Sequence, residues 1–227
     1  METLYDLLAD LPPGASVETA RTTYDADATR GTAFKTGNFL RTLGVREGVD
    51  VGVASVAEAK PVFAFLGAGL LGATVQFDPA TGDELRAYVA PTADVEGLDL
   101  PAGGQRVAWG EKPGNPRIEY FERDVWSENP AFPPVSFDGD TALLDAGSTT
   151  YTHRDLLDAA ERFEREHPGP VVVDADFVHP GTVVAVLAAL RAGTALHLGT
   201  TPAADDADAT VVSVTAENAV DPRYVDI

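Results

Sequence analysis

Two carboxylates and an imidazole follow the short apolar run Val171-Val172-Val173, at Asp174, Asp176 and His179. That set of side chains suits a divalent cation or the polar end of a small molecule. His197 and Thr200 follow a second apolar run and face the same crevice if the sheet order brings the two strand ends together. Ligands of open α/β sheets bind beyond the carboxyl ends of strands. Asp174, Asp176, His179, His197 and Thr200 are therefore the candidate ligand-binding residues. A plainer account covers the first three: Asp174 ends a strand, Asp176 caps a helix, and His179 precedes Pro180 on the surface. On that account no metal site and no cofactor is expected.

Two hydroxyl-rich stretches, Gly147-Ser148-Thr149-Thr150 and Gly199-Thr200-Thr201-Pro202, have the composition of phosphate-binding turns. Neither is followed by a lysine. The second runs into Asp205, Asp206 and Asp208, whose charges repel a triphosphate. Both read as turns after strands. The chain has no Gly-x-Ser-x-Gly elbow, no His-Glu-x-x-His and no cysteine. No nucleophile elbow, zinc-protease or thiol chemistry is available on those grounds, and no catalytic residue is assigned. His153 and His167 read as exposed helix residues.

The elements that must position these groups come twice. Thr22-Thr23-Tyr24 and Thr149-Thr150-Tyr151 each precede an amphipathic helix. Val49–Val53 and Val171–Val173 each form a short strand. A second, apolar helix follows each strand. The first is opened by Ser55 and Glu58 in a capping-box pattern with Pro61 in the first turn, the second by Asp176 and Pro180. Leu71-Gly72-Ala73-Thr74-Val75 and Ala192-Gly193-Thr194-Ala195-Leu196 then step into strands, and these registers lie 121 residues apart. Helices alternating with short apolar strands predict an α/β fold of two similar Rossmann-like βαβ units with largely parallel sheets. The division reads as a first half over 1–109, a Pro-rich connector over 110–134 and a second half over 135–227. Trp109, Tyr120, Phe121, Trp126 and Phe132, in or beside the connector, are expected to pack between the halves. The small residues Gly67, Ala68 and Gly69 are expected to permit close approach to a sheet.

Acids outnumber bases 36 to 16, for a net charge of -20, and lysine occurs only at Lys35, Lys60 and Lys112. Such a surface repels itself at low ionic strength and is screened in molar salt. The composition resembles that of proteins from halophilic archaea that accumulate salt. With no cluster of Lys and Arg, nucleic acid is excluded as a direct ligand. The longest apolar stretch, Val62 to Val75, is 14 residues. About 20 are needed to span a bilayer, so no membrane segment is expected. Met1 to Asp10 carries no secretion signal, and the expected location is the cytoplasm.

The stretch Phe39-Leu40-Arg41-Thr42-Leu43-Gly44-Val45-Arg46-Glu47-Gly48-Val49-Asp50-Val51-Gly52-Val53, continuing through Phe65 to Val75, resembles the N-terminal part of AMP-forming acyl-CoA synthetases. Thr141 to Leu196 is similar to the same region again. The resemblance covers Tyr24 to Pro79 and Thr141 to Val214. It implies the fold of those enzymes' N-terminal subdomains. The superfamily's adenylation chemistry uses a Pro-Lys-Gly-terminated phosphate loop, an adenine-binding aromatic-Gly-x-Thr-Glu segment, a ribose-binding Asp and a catalytic Lys. No segment here matches the last three. The expectation is a non-catalytic relative acting as a ligand-sensing or partner-binding module, as a homodimer or with a partner ligase. The alternative is a small enzyme or a nucleotide- or acyl-binding protein with its site at the carboxyl ends of the parallel strands.

Overall fold

The computed structural model describes residues 1–80, 84–199, 209–214 and 219–227. The chain opens with α1 (Leu4–Ala9), β1 (Ser16–Glu18), β2 (Thr23–Tyr24) and α2 (Ala26–Thr42). It continues through β3 (Asp50–Val53), α3 (Ala59–Gly69), β4 (Thr74–Phe77), β5 (Leu85–Pro91), α4 (Thr92–Val95) and β6 (Gln105–Trp109). Next come β7 (Glu119–Tyr120), α5 (Phe121–Ser127), β8 (Ala142–Asp145), β9 (Thr150–Thr152) and α6 (His153–Glu166). The last elements are β10 (Val171–Asp174), α7 (Pro180–Ala192), β11 (Ala195–Leu198) and β12 (Thr210–Ser213).

Local chemistry sets the starts of the polar helices. The Thr3 hydroxyl accepts from Asp6 N while the Asp6 carboxylate accepts from Thr3 N, and Thr152 with Asp155 repeats the arrangement at α6. Asp25 caps α2 by accepting from Ala28 N. The apolar helices α3 and α7 are held by burial instead. Every residue of α3 except Lys60 is buried, as is α7 from Gly181 to Leu190. Each fully buried Val, Leu or Phe contributes about 1.5–3 kcal/mol, which offsets the missing side-chain caps of both helices. The expected Ser55–Glu58 box does not form. Glu58 occupies the cap position without a side-chain bond, and Ser55 is used elsewhere. Nor does Asp176 cap α7: His179 sits there, and Asp176 contributes its backbone carbonyl to Thr182 Oγ1.

Among the described residues the strands form two largely parallel sheets, ordered β7-β6-β5-β3-β4-β8-β9 and β12-β10-β11-β1-β2. The pairs β8–β9 and β1–β2 are antiparallel hairpins. The sheets do not follow the division into 1–109 and 135–227. The β1–β2 hairpin pairs with β11, and the β8–β9 hairpin pairs with β4. Each stretch thus lends a hairpin to the other's sheet. Over five strands the two orders correspond: β5-β3-β4 plus β8-β9, and β12-β10-β11 plus β1-β2. Backbone details agree with this. Gly72 and Gly193, 121 residues apart, have φ of 69° and 70°. Asp78 and Gly199, also 121 apart, have φ of 45° and 60°, and their N–H groups donate to Val53 and Val173.

One core joins the facing sides of both sheets with α3 and α7, and a smaller cluster lies beneath α4. Gly67 turns out to serve the helix pair rather than a sheet. A Cβ there would lie 2.8 Å from the backbone nitrogen of Gly37 in α2. Residues 110–134 extend the first sheet through β7 and pack α5 on α2. Phe132 stacks near Phe34, and Lys35 sits 5.2 Å from the Trp126 ring. Phe132 and Trp126 therefore dress α2, whereas Trp109 and Phe121 are buried in the shared core.

His153 is the clearest departure from expectation. It is fully buried, not exposed. Its Nδ1 accepts from Leu4 N at 3.2 Å, tying α1 to α6 across 149 positions, and its buried Nε2 has no hydrogen-bond partner. Burial lowers its pKa from 6.5 to about 4, opposed by the Asp6 charge. Between those values the unfolded chain binds the proton and the folded one does not. The stabilisation is therefore complete above pH 6.5 and is lost as pH falls toward 4, about 3 kcal/mol in all. Urea unfolding of wild type and His153→Asn across this window checks it. The variant should lack the component of the slope that this residue supplies.

Candidate functional site

The predicted residues do not converge. Asp174 and Asp176 are exposed, and His179 is half-buried at the start of α7. The sheet order does set β10 beside β11, yet His197 lies one residue inside its strand, opposite Val172 and Glu18. Its Nδ1 is 3.6 Å from Glu18 Oε2, so its near partner is a glutamate of β1 rather than Asp174 or Asp176. Thr200 lies outside the described residues. No group of three His, Asp or Glu that could hold a metal ion is present among the described residues.

A concave site does form next to these positions. A cleft of about 430 Å³ opens beyond the carboxyl ends of β4 and β8. Its walls are Phe77 at the end of β4 with Asp78 and Pro79 after it, Asp145 to Gly147 in the β8–β9 hairpin, and Phe177 with Val178 after β10. The volume falls within the range of small-molecule pockets. Asp78 holds a left-handed φ of 45°, a conformation that Asp tolerates better than most residues. The turn is stabilised from outside: Asp78 Oδ1 accepts from Ser55 N at 2.8 Å. Ser55 Oγ in turn accepts from Val178 N at 3.2 Å, and the Phe77 and Phe177 rings stack at 5.2 Å. The cleft floor is thus a joint between β3, β4 and the loop after β10. Asp145 Oδ1 accepts from Gly147 N at 2.8 Å, which shapes the hairpin. Among the described residues two carboxylates line this cleft, and no cation does.

No protein-family model matches the chain, and no curated protein matches it. Solved structures do. A crystal structure of the anthranilate CoA ligase AuaEII in complex with anthranoyl-AMP superposes with a TM-score of 0.73 at 18% identity, covering 88% of this chain and 45% of that one. A benzoate CoA ligase from Burkholderia xenovorans LB400 gives 0.73 at 20% identity, covering 91% and 47%. The N-terminal domain of FACL13 from Mycobacterium tuberculosis gives 0.67 at 13%, covering 89% and 58%. The chain has the fold of the N-terminal region of AMP-forming CoA ligases. At these identities the likeness is one of fold. The chain spans about half the length of the full ligase chains it matches.

On this ligase-type fold, the cleft offers an apolar wall, two carboxylates and exposed hairpin backbone. It can accept a neutral or cationic group by hydrogen bonds to Asp78 and Asp145. It supplies no positive charge to a phosphate. The missed residues carried one readable signal. Asp145 ends β8 and Asp78 directly follows β4, the position where α/β sheets place ligands.

Proposed function

We propose that this chain is a ligand-binding module on a CoA-ligase scaffold, and that it does not couple ATP to a carboxylic acid. The charge of the cleft beyond β4 and β8 carries the reading. Asp78 and Asp145 line it without a cation. All 16 Lys and Arg lie among the described residues, so none is overlooked. A triphosphate entering this cleft finds two carboxylates and no Lys or Arg to form charge-assisted bonds to it. A thermal-shift titration with Mg-ATP in molar KCl tests this. Binding with a dissociation constant near 10 μM would stabilise the fold by about 2.7 kcal/mol at a hundredfold excess. The expected rise in melting temperature is no more than about 1 °C, and a rise of several degrees would contradict the proposal.

The same reading takes the two βαβ units as copies of one ancestral unit. The matching strand orders and the left-handed positions 121 residues apart support it. It also places the chain in the cytoplasm of a salt-accumulating halophile, which the surplus of acids along the whole chain supports.

A further inference from the structure

The corresponding strand order builds a second cleft, at the corresponding place in the other sheet. The first lies between the end of β4, the β8–β9 hairpin and the loop after β10. The second lies between the end of β11, the β1–β2 hairpin and the loop after β3, and measures about 460 Å³. The geometry is shared, and among the described residues the charge is reversed. There, Arg21 on the hairpin and Lys60 at the start of α3 line it, against one carboxylate, Glu58. Val56 and Leu198 supply apolar wall, and the Thr19 hydroxyl lies beside Arg21, accepting from its backbone N–H at 3.3 Å.

The state of the two cations sets this cleft apart. Acids outnumber bases 36 to 16 in the chain, and most of its arginines have an acidic or carbonyl partner. The Arg21 guanidinium has neither an ion pair nor a hydrogen bond among the described residues. Lys60 is one of three lysines, and its ion pair with Glu122 is long, at 3.8 Å. Glu122 Oε1 is already engaged by Gly110 N at 2.9 Å. A guanidinium fork suits a carboxylate or phosphate in two-point contact, and an ammonium adds a mobile point charge.

We propose that this second cleft binds a small organic anion, a carboxylate or phosphate head on an apolar body, with Arg21 and Lys60 as counter-charges. The inference deepens the ligand-binding reading and rests on it. It makes no use of the acid-lined cleft.

Titration calorimetry of the full chain with benzoate, AMP and inorganic phosphate, each separately, tests it. Benzoate or AMP is expected to bind with a dissociation constant below about 1 mM. Arg21→Gln and Lys60→Gln should each weaken that binding about tenfold, the scale of losing one charged hydrogen bond. Arg165→Gln, an exposed cation in the last turn of α6 that lines neither cleft, should leave it unchanged. Arg21 is exposed on a hairpin, so its variant keeps the fold. Inorganic phosphate binding as well as AMP would support the site and identify the head alone as the ligand. Failure of all three to bind, or affinity indifferent to both cation variants, overturns the proposal. Pyrophosphate exchange, which tests the adenylation claim, is independent of either outcome.

Discussion

Transfer from low-salt buffer to molar KCl is expected to raise the melting temperature by about 10 °C or more. The chain carries 20 more negative than positive charges. A like-charge neighbour costs about 0.2–0.5 kcal/mol at an exposed site, so the surplus opposes folding by roughly 4–10 kcal/mol at low ionic strength. That rivals the whole stability of an ordinary domain, about 5–15 kcal/mol. In molar salt the screening length contracts to about 3 Å, and most of the repulsion disappears. Each recovered kilocalorie is worth about 2–4 °C in a chain of this size. Ion pairs do not reverse the sign, because those present are mostly exposed at one or both ends, as at Arg154 with Glu2 and Asp140, and contribute little. Calorimetric scans across a KCl series check the effect. A flat or falling melting temperature would remove the support for a high-salt habitat.

Truncating Phe77 to alanine is expected to cost about 3–5 kcal/mol, the range for a buried aromatic, and about 10 °C in melting temperature. Phe77 ends β4 and is 8% exposed. Its ring lies 6.0 Å from Phe65 of α3 and 5.2 Å from Phe177 after β10. The residue therefore joins the first sheet, the central helix and the loop that walls the acid-lined cleft. Phe77→Leu keeps most of the volume and should cost clearly less. Urea denaturation of both variants measures the difference. A loss below about 1 kcal/mol for the alanine variant would mean that the neighbouring rings close over the gap and that the stack does not tie the layers together.

The apolar helices and the strands they lead into were legible because burial on all sides leaves a signal in every residue. Val62 to Leu71 and Val183 to Leu190 carry it, and Gly72 and Gly193 mark their ends with φ near 70°. The exchange of hairpins was not legible. β1 is three residues and β2 two, too short to show alternation, and the pairing of Val17 with Leu196 spans most of the chain. His153 was misread for a similar reason. A histidine after a capping threonine looks like surface until Leu4 N, 149 positions away, is seen to need an acceptor. The candidate site shows the limit most plainly. Asp174, Asp176 and His179 flank the wall residues Phe177 and Val178, and His197 adjoins Leu198 of the second cleft. Side-chain type led to strand ends beside these two clefts, but concavity depends on how separate segments meet. Asp78 carries no mark in the sequence beyond the proline that follows it. Its left-handed backbone and its bond from Ser55 N become visible once β3 and β4 lie side by side.

The most direct measurement is exchange of radiolabelled pyrophosphate into ATP, in molar KCl with Mg²⁺ and a panel of aryl and acyl carboxylates. An acid-lined cleft that offers no cation to a phosphate predicts no incorporation above the protein-free control for any acid. Incorporation that depends on both the protein and one particular carboxylate would show adenylate formation, and the account of this cleft would be wrong.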